Sequence, residues 1–263
     1  MRFTKMHGLG NDYLYLFGEA PENAPALSRK YSDRHFGVGS DGMIWISPSE
    51  SADFQMQIFN ADGSEAAMCG NGIRCVGKYL FDHHLTRKTA LRIDTKSGIK
   101  EILLSVENGV CTGASVEMGR ALVSQEQVLE AAGETLRGIP VNIGNPHFVI
   151  PTRDAENAPL KKAGSALQSH PLFTGGVNAE WIEKTGEKSA RMRVWERGSG
   201  ITLACGTGAS ASVAALVSRG VFPADEPVSV RLDGGVLQIL VRKDGSVKMT
   251  GPAVSVCEGE IEC

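Results

Sequence analysis

Two stretches of this 263-residue chain, residues 59–76 (FNADGSEAAMCGNGIRCV) and 195–212 (WERGSGITLACGTGASAS), align without a gap at a single offset of 136. Each reads as a strand end, a glycine-rich turn, then Cys-Gly-x-Gly opening a helix. A chain on this plan sets each thiol, Cys69 and Cys205, at a helix N-terminus. Unpaired backbone N–H groups and the positive end of the helix dipole favour the thiolate there. The amides of Gly70 and Asn71, and of Gly206 and Thr207, suit one anionic group such as a carboxylate. Two such thiols, one from each copy of a unit, suit a two-base proton transfer. One sulfur takes an α-proton and the other returns a proton on the opposite face.

The repeat reaches beyond these stretches. Gly10-Asn11 recurs as Gly144-Asn145 at an offset of 134, and Asn108-Gly109 as Asp244-Gly245 at 136. Residues 43–46 and 54–59 read as strands, the second alternating Phe54, Met56 and Ile58 with Gln55 and Gln57. Residues 228–232, 236–241 and 247–249 read as strands of the second copy, and 26–36 as a short helix. In the first Cys-Gly helix Ile73, Val76, Gly77, Leu80 and Phe81 make one broad apolar face. The second has Ala209, Val213, Leu216 and Val217 with Ala and Ser elsewhere, a composition that suits burial on all sides, and Arg219-Gly220 closes it. The expected architecture is an α+β fold of two pseudo-symmetric halves. Each half is a mostly antiparallel sheet wrapped round a central helix, with the active site in the cleft between them. The expected halves are residues 1–118, with a returning tail 252–263, and residues 119–251.

Composition removes several classes. Net charge is −3 and no Lys/Arg run exceeds two residues, so neither nucleic acid nor a membrane surface is an expected partner. The first residues carry no apolar leader and no run approaches a membrane span, so a cytoplasmic location is expected. The six cysteines show no CxxC and no zinc-type spacing, so no metal is expected. Cys75, Cys111, Cys257 and Cys263 read as small buried hydrophobes, and His83-His84 as a solvated pair. Gly8-Leu9-Gly10 and Gly37-Val38-Gly39 lack the third glycine and the following helix of a dinucleotide fingerprint.

Taken together, MHGLGND, FNADGSEAAMCGNGIRC, IGNPHFV, Asn178-Ala179-Glu180-Trp181 and VWERGSGITLACGTGAS resemble diaminopimelate epimerase along nearly the whole chain. The resemblance implies a cofactor-independent isomerase of the lysine and peptidoglycan route, a homodimer that interconverts LL- and meso-diaminopimelate. It implies that Cys205 takes the proton and Cys69 gives one back in the LL-to-meso direction. It also implies that Gly70, Asn71, Gly206 and Thr207 supply the carboxylate-binding backbone. Asn11, Asn60, Asn145, Asn178 and Arg197 would hold the distal amino-acid end, and His147 with Glu196 would tune the thiols, Glu196 also meeting substrate. The planar fork of Arg197 suits a carboxylate, and amides suit an ammonium and carboxylate on one carbon. The plainer readings are Asn145 and Asn178 as turn residues and Glu196-Arg197 as a surface pair. The chain departs from many members at Ile201 (Glu there), Ser210 (Cys) and Gly42 (Gln in some). Two alternatives remain: a racemase of another amino acid such as histidine on the same fold, or a non-enzymatic binding protein with a redox-switch cysteine pair. Facing thiols within reach would cross-link, so activity is expected to need reductant.

Overall fold

The computed structural model describes residues 1–262, and Cys263 lies outside the described residues. The chain forms two compact units, Met1–Val116 with the tail from Gly251, and Glu117–Thr250.

The first unit begins with β1 (Arg2–Gly8) and β2 (Asn11–Phe17), antiparallel through a two-residue turn. Leu9 and Gly10 there take φ of 59° and 85°, the left-handed pair such a turn requires. Next come α1 (Ala24–Ser32), β3 (Gly42–Pro48), β4 (Phe54–Asn60), β5 (Glu65–Ala66) and α2 (Gly70–Asp82). The unit continues with β6 (Ala90–Asp94), β7 (Lys100–Glu107) and β8 (Val110–Arg120), and the unit boundary falls inside β8. α1 starts and stops earlier than residues 26–36 suggest. Pro25 sits in its first turn, and the Asp33 carboxylate accepts the amides of His35 and Phe36 at 2.7 and 2.8 Å. That local bonding competes with further helix and leaves Phe36 94% exposed.

The second unit runs through β9 (Leu122–Val123), β10 (Gln127–Ala131), β11 (Glu134–Asn142) and β12 (Pro146–Thr152). A π-turn at Leu160–Gly164 leads into α3 (Ser165–Leu167). Then follow β13 (Asn178–Gly186), β14 (Ser189–Glu196), β15 (Gly200–Ile201), α4 (Gly206–Ser218), β16 (Pro227–Leu232), β17 (Gly235–Val241) and β18 (Ser246–Pro252). The last strand, β19 (Val254–Glu260), pairs antiparallel with β1.

The repeat shows in the strand register of each unit taken alone. β2 pairs parallel with β3 with Leu14 opposite Met43, and β12 pairs parallel with β13 with Phe148 opposite Ala179. β3–β4 and β13–β14 are antiparallel, β4–β6 and β14–β16 parallel. The sheets are therefore mixed, with antiparallel pairs in the majority. The register equates Tyr13 with His147, Gly42 with Asn178, Ile44 with Glu180 and Asn60 with Glu196. The hairpin turns are not alike. Asn108 and Gly109 both have positive φ, whereas in the second unit residues 242–245 close through Gly245 N to Arg242 O at 2.9 Å, and of Asp244 and Gly245 only the glycine is left-handed.

Both central helices run thirteen residues. α4 is buried nearly all round, as its small side chains allow. α2 is also buried from Gly70 through Leu80 and is not the one-faced helix its apolar spacing suggests. Its polar positions are satisfied in place. Lys78 reaches Asp82 and the Cys111 carbonyl, both at 2.6 Å, and Arg74 donates to the carbonyls of Gly70 and Pro252 at 3.0 and 3.1 Å. Gly77 admits β7 so closely that a Cβ there would lie 2.5 Å from Leu104 Cδ2. Among the described residues no helix is long and apolar enough to cross a membrane.

Candidate active site

Both motif cysteines cap their helices in the same way. Cys69 (φ −136°, ψ 114°) and Cys205 (φ −122°, ψ 109°) are extended N-cap residues, and each sulfur accepts the third helical amide, Gly72 or Gly208, at 3.3 Å. Each cap carbonyl also accepts the first regular helical bond, from Ile73 at 2.9 Å and from Ala209 at 3.0 Å. The sulfur thus takes a role usually given to a Ser or Asp oxygen. Gly72 and Gly208 leave space for it. A Cβ at Gly208 would lie 3.2 Å from Cys205 Sγ and 2.7 Å from Glu180 Oε1.

In the first unit the Cys69 thiol donates to Asn11 Oδ1 at 3.2 Å. Asn11 is held by its other end, Nδ2 donating to Asp41 Oδ2 at 2.8 Å. Asp41 and Asp12 share Arg34, each at 2.8 Å, and Lys5 lies 3.1 Å from Asp12. Burial raises the Asp12 carboxyl, but hydrogen bonds from Arg34 and Lys5 and their charges outweigh it and hold the group below its usual range. The Tyr13 ring is buried beside Cys69 and Asn11. Burial first, then the nearness of Cys69 and Asp41, pushes its phenol well above the usual value. Gly42 makes the room, since a Cβ there would lie 2.8 Å from Tyr13 Cε1. Asn60 is turned to Ser64 Oγ at 3.1 Å, and Asn71 Oδ1 accepts from Arg74 at 3.1 Å.

In the second unit Cys205 is 4% exposed with carboxylates for neighbours. Burial, then Glu196 and Glu180, pushes its thiol well above the usual range, against weaker help from Thr207 and the Gly208 amide. The helix end therefore does not by itself produce a thiolate at Cys205. Burial likewise raises Glu196, while hydrogen bonds with Thr202 and Cys205 pull the other way. His147 hydrogen bonds the carboxylate of Glu180, Nδ1 to Oε1 at 2.6 Å, while Glu196 lies against Cys205. Asn145 bridges His147 Nε2 at 3.0 Å and Thr207 Oγ1 at 3.5 Å, so it is more than a turn residue. Asn178 is 5% exposed and accepts the Arg197 amide at 2.8 Å, and the exposed Arg197 side chain reaches the Gly175 carbonyl at 3.3 Å.

Sequence reading passed over Glu180, Tyr13 and Asp41. Asp41 carries no repeat signal. Glu180 and Tyr13 are the register twins of Ile44 and His147; Glu180 lies at the cysteine offset of 136 from Ile44, and His147 at the Gly-Asn offset of 134 from Tyr13, so the repeat pointed to both. The departures have simple local outcomes. Ile201 is 46% exposed, and Ser210 donates to the Gly206 carbonyl at 2.9 Å.

Compared with known proteins, residues 3–123 and 139–256 match the model of the family described as diaminopimelate epimerase. The chain belongs to the diaminopimelate epimerase family. It is 46% identical to the diaminopimelate epimerase of Acetivibrio thermocellus over 278 aligned positions, covering 100% of this chain and 99% of that protein. It is 44% identical to that of Bacillus subtilis, covering 98% and 97%. Among solved structures it resembles a phenazine biosynthesis protein of the PhzF family from Bacillus anthracis (TM-score 0.78, 18% identity, covering 100% of this chain and 99% of that one). It also resembles a hydroxyproline epimerase from Agrobacterium vitis with bound trans-4-hydroxy-L-proline (TM-score 0.74, 16% identity, covering 99% and 90%). These likenesses show the shared α+β fold.

The remaining cysteines in this family member divide by burial. Cys75 is fully buried and burial pushes it to about 11; Cys111 is buried and raised for the same reason. Cys257, expected inside, is exposed on β19. In the native reduced protein a bulky thiol reagent is expected to label Cys257 promptly and leave Cys75 and Cys111 untouched until unfolding. Peptide mapping checks this, and early labelling of Cys75 would contradict the packing around α2.

Proposed function

We propose that this protein interconverts LL- and meso-2,6-diaminopimelate by two-base α-proton transfer, without a cofactor, Cys69 and Cys205 being the acid/base pair. The observation that carries this reading is the pair of thirteen-residue helices, each capped by a cysteine whose sulfur takes the third amide. In this reading the two sulfurs stand on opposite faces of the substrate α-carbon. The first-turn amides of Gly70, Asn71, Gly206 and Thr207 hold the α-carboxylate and stabilise the charge that grows on it. Asn11, Asn60, Asn145, Asn178 and Arg197 receive the distal amino-acid end.

The chemistry of each sulfur differs with its surroundings. Cys69 donates to an anchored amide oxygen, an arrangement that keeps the proton on sulfur and suits the donor. Cys205 hydrogen bonds a carboxylate, Glu196, that can take the thiol proton and leave the thiolate that removes the α-proton. The Cys205 thiolate takes the α-proton as S–H on one face; the C–H electron pair stays on carbon and takes the Cys69 proton on the other face, leaving Cys69 as the thiolate. A homodimer and a cytoplasmic setting belong to the same proposal, as does a need for reductant.

The test is isotope wash-in. Reduced protein in deuterated water with LL-diaminopimelate is expected to yield the meso isomer with α-deuterium. Exchange with L-histidine but not with diaminopimelate would sink the substrate assignment, and exchange with no amino acid would sink the enzyme.

A further inference from the structure

We propose, resting on the epimerase reading, that Glu180 is a positioning residue that acts through His147 to fix the polarity of the Asn145 amide, opposite to that of its twin Asn11. Glu180 and His147 are both fully buried, and among the described residues Glu180 Oε2 has no hydrogen-bond partner. A buried carboxylate with one oxygen unsatisfied is costly, and a purely structural site would favour an apolar residue. The twin position shows that the scaffold accepts one, since Ile44 packs against Gly72 where Glu180 packs against Gly208.

Hydrogen bonding defines what Glu180 does. His147 Nε2 lies 3.0 Å from Asn145 Oδ1, an oxygen that only accepts, so Nε2 carries a proton. Nδ1 is then bare in the neutral ring or protonated in the cation. Glu180 answers either form, as a carboxylic acid donating to bare Nδ1 or as a carboxylate accepting from Nδ1–H. In both forms one proton lies between Oε1 and Nδ1, and Nε2–H is retained. With Oδ1 tied to His147, Asn145 presents Nδ2 to Thr207 Oγ1 at 3.5 Å, itself 3.5 Å from Cys205 Sγ.

The first unit does the reverse. Tyr13 and Ile44 stand where His147 and Glu180 stand, and Asp41 grips Asn11 by Nδ2, so Oδ1 faces the Cys69 thiol. One twin amide offers an acceptor, which favours a thiol. The other offers a donor, which favours negative charge on the thiolate side. Glu180 and Asp41 thus give a duplicated scaffold opposite polarities at its two sulfurs.

Nitrogen-15 NMR of the His147 ring, read without substrate, tests the assignment. Wild type is expected to carry the proton on Nε2. Glu180→Gln keeps that form, because its amide N–H donates to bare Nδ1, whereas Glu180→Met releases it. In diaminopimelate turnover Glu180→Gln should stay within about threefold of wild-type kcat/KM. Glu180→Met should lose about tenfold, mostly as higher KM, the loss expected of one misdirected hydrogen bond. A bare Nε2 in wild type overturns the proposal, even if the Met variant does not fold. So do a Met variant with ring form and KM unchanged, and a Gln variant as impaired as Met. Should wild type fail to turn over diaminopimelate, the substrate reading falls while the ring spectrum still decides the role of Glu180.

Discussion

Cys205→Ala and Cys69→Ala should each lower epimerisation of diaminopimelate by about 10^4-fold, the size of loss seen when an essential acid or base is removed. The two variants should fail differently. Cys69→Ala retains the base on one face, so it should wash α-deuterium into the LL isomer without inverting it. Cys205→Ala should spare exchange only from the centre of opposite configuration. Alanine also removes a helix cap, which accepts the Gly72 or Gly208 amide at 3.3 Å, and loss of such a cap costs about 1 kcal/mol. Serine retains an acceptor at the cap but is far too weak an acid, so Cys69→Ser and Cys205→Ser should be stable and equally inactive. Kinetics with resolved isomers checks all four. Either Ala variant turning over within about tenfold of wild type would end the two-base mechanism.

Trp181→Ala should cost about 3–5 kcal/mol, the range for deleting a large buried ring. Trp181 is 2% exposed and packs with Phe148, Leu160 and Phe173 in the core of the second unit. It neighbours Glu180 on β13, and because strand neighbours point to opposite faces the two act on different surroundings. For a unit of this size the loss lowers Tm by about 10 °C. Calorimetry on the full chain measures it, with the ring NMR of His147 unchanged below the transition. A loss under about 1 kcal/mol would mean that this cluster is not the support of the sheet.

The placement of both cysteines was legible because a helix start has a local signature, and two copies of it at one spacing leave little freedom. The mixed sheets were less so. Parallel pairing of β2 with β3 and of β12 with β13 joins segments far apart in sequence, and nothing in their side-chain alternation announces direction. The burial of α2 from Gly70 through Leu80 was hidden by Arg74 and Lys78, which look like solvent-facing residues until their carbonyl partners are seen. The bond of His147 to Glu180 was hidden for a similar reason. Register across β12 and β13 decides which carboxylate a histidine meets, and register is a tertiary property.

Among the described strands, the one that covers β1 comes last along the chain, although β1 comes first. During synthesis the N-terminal unit must therefore wait, with the outer edge of β1 unpaired, while the whole second unit emerges. At about 5–20 residues per second that interval is on the order of ten seconds. A nascent chain with an open edge for so long is exposed to edge-to-edge pairing with other chains, and early termination near residue 250 would leave that edge open for good.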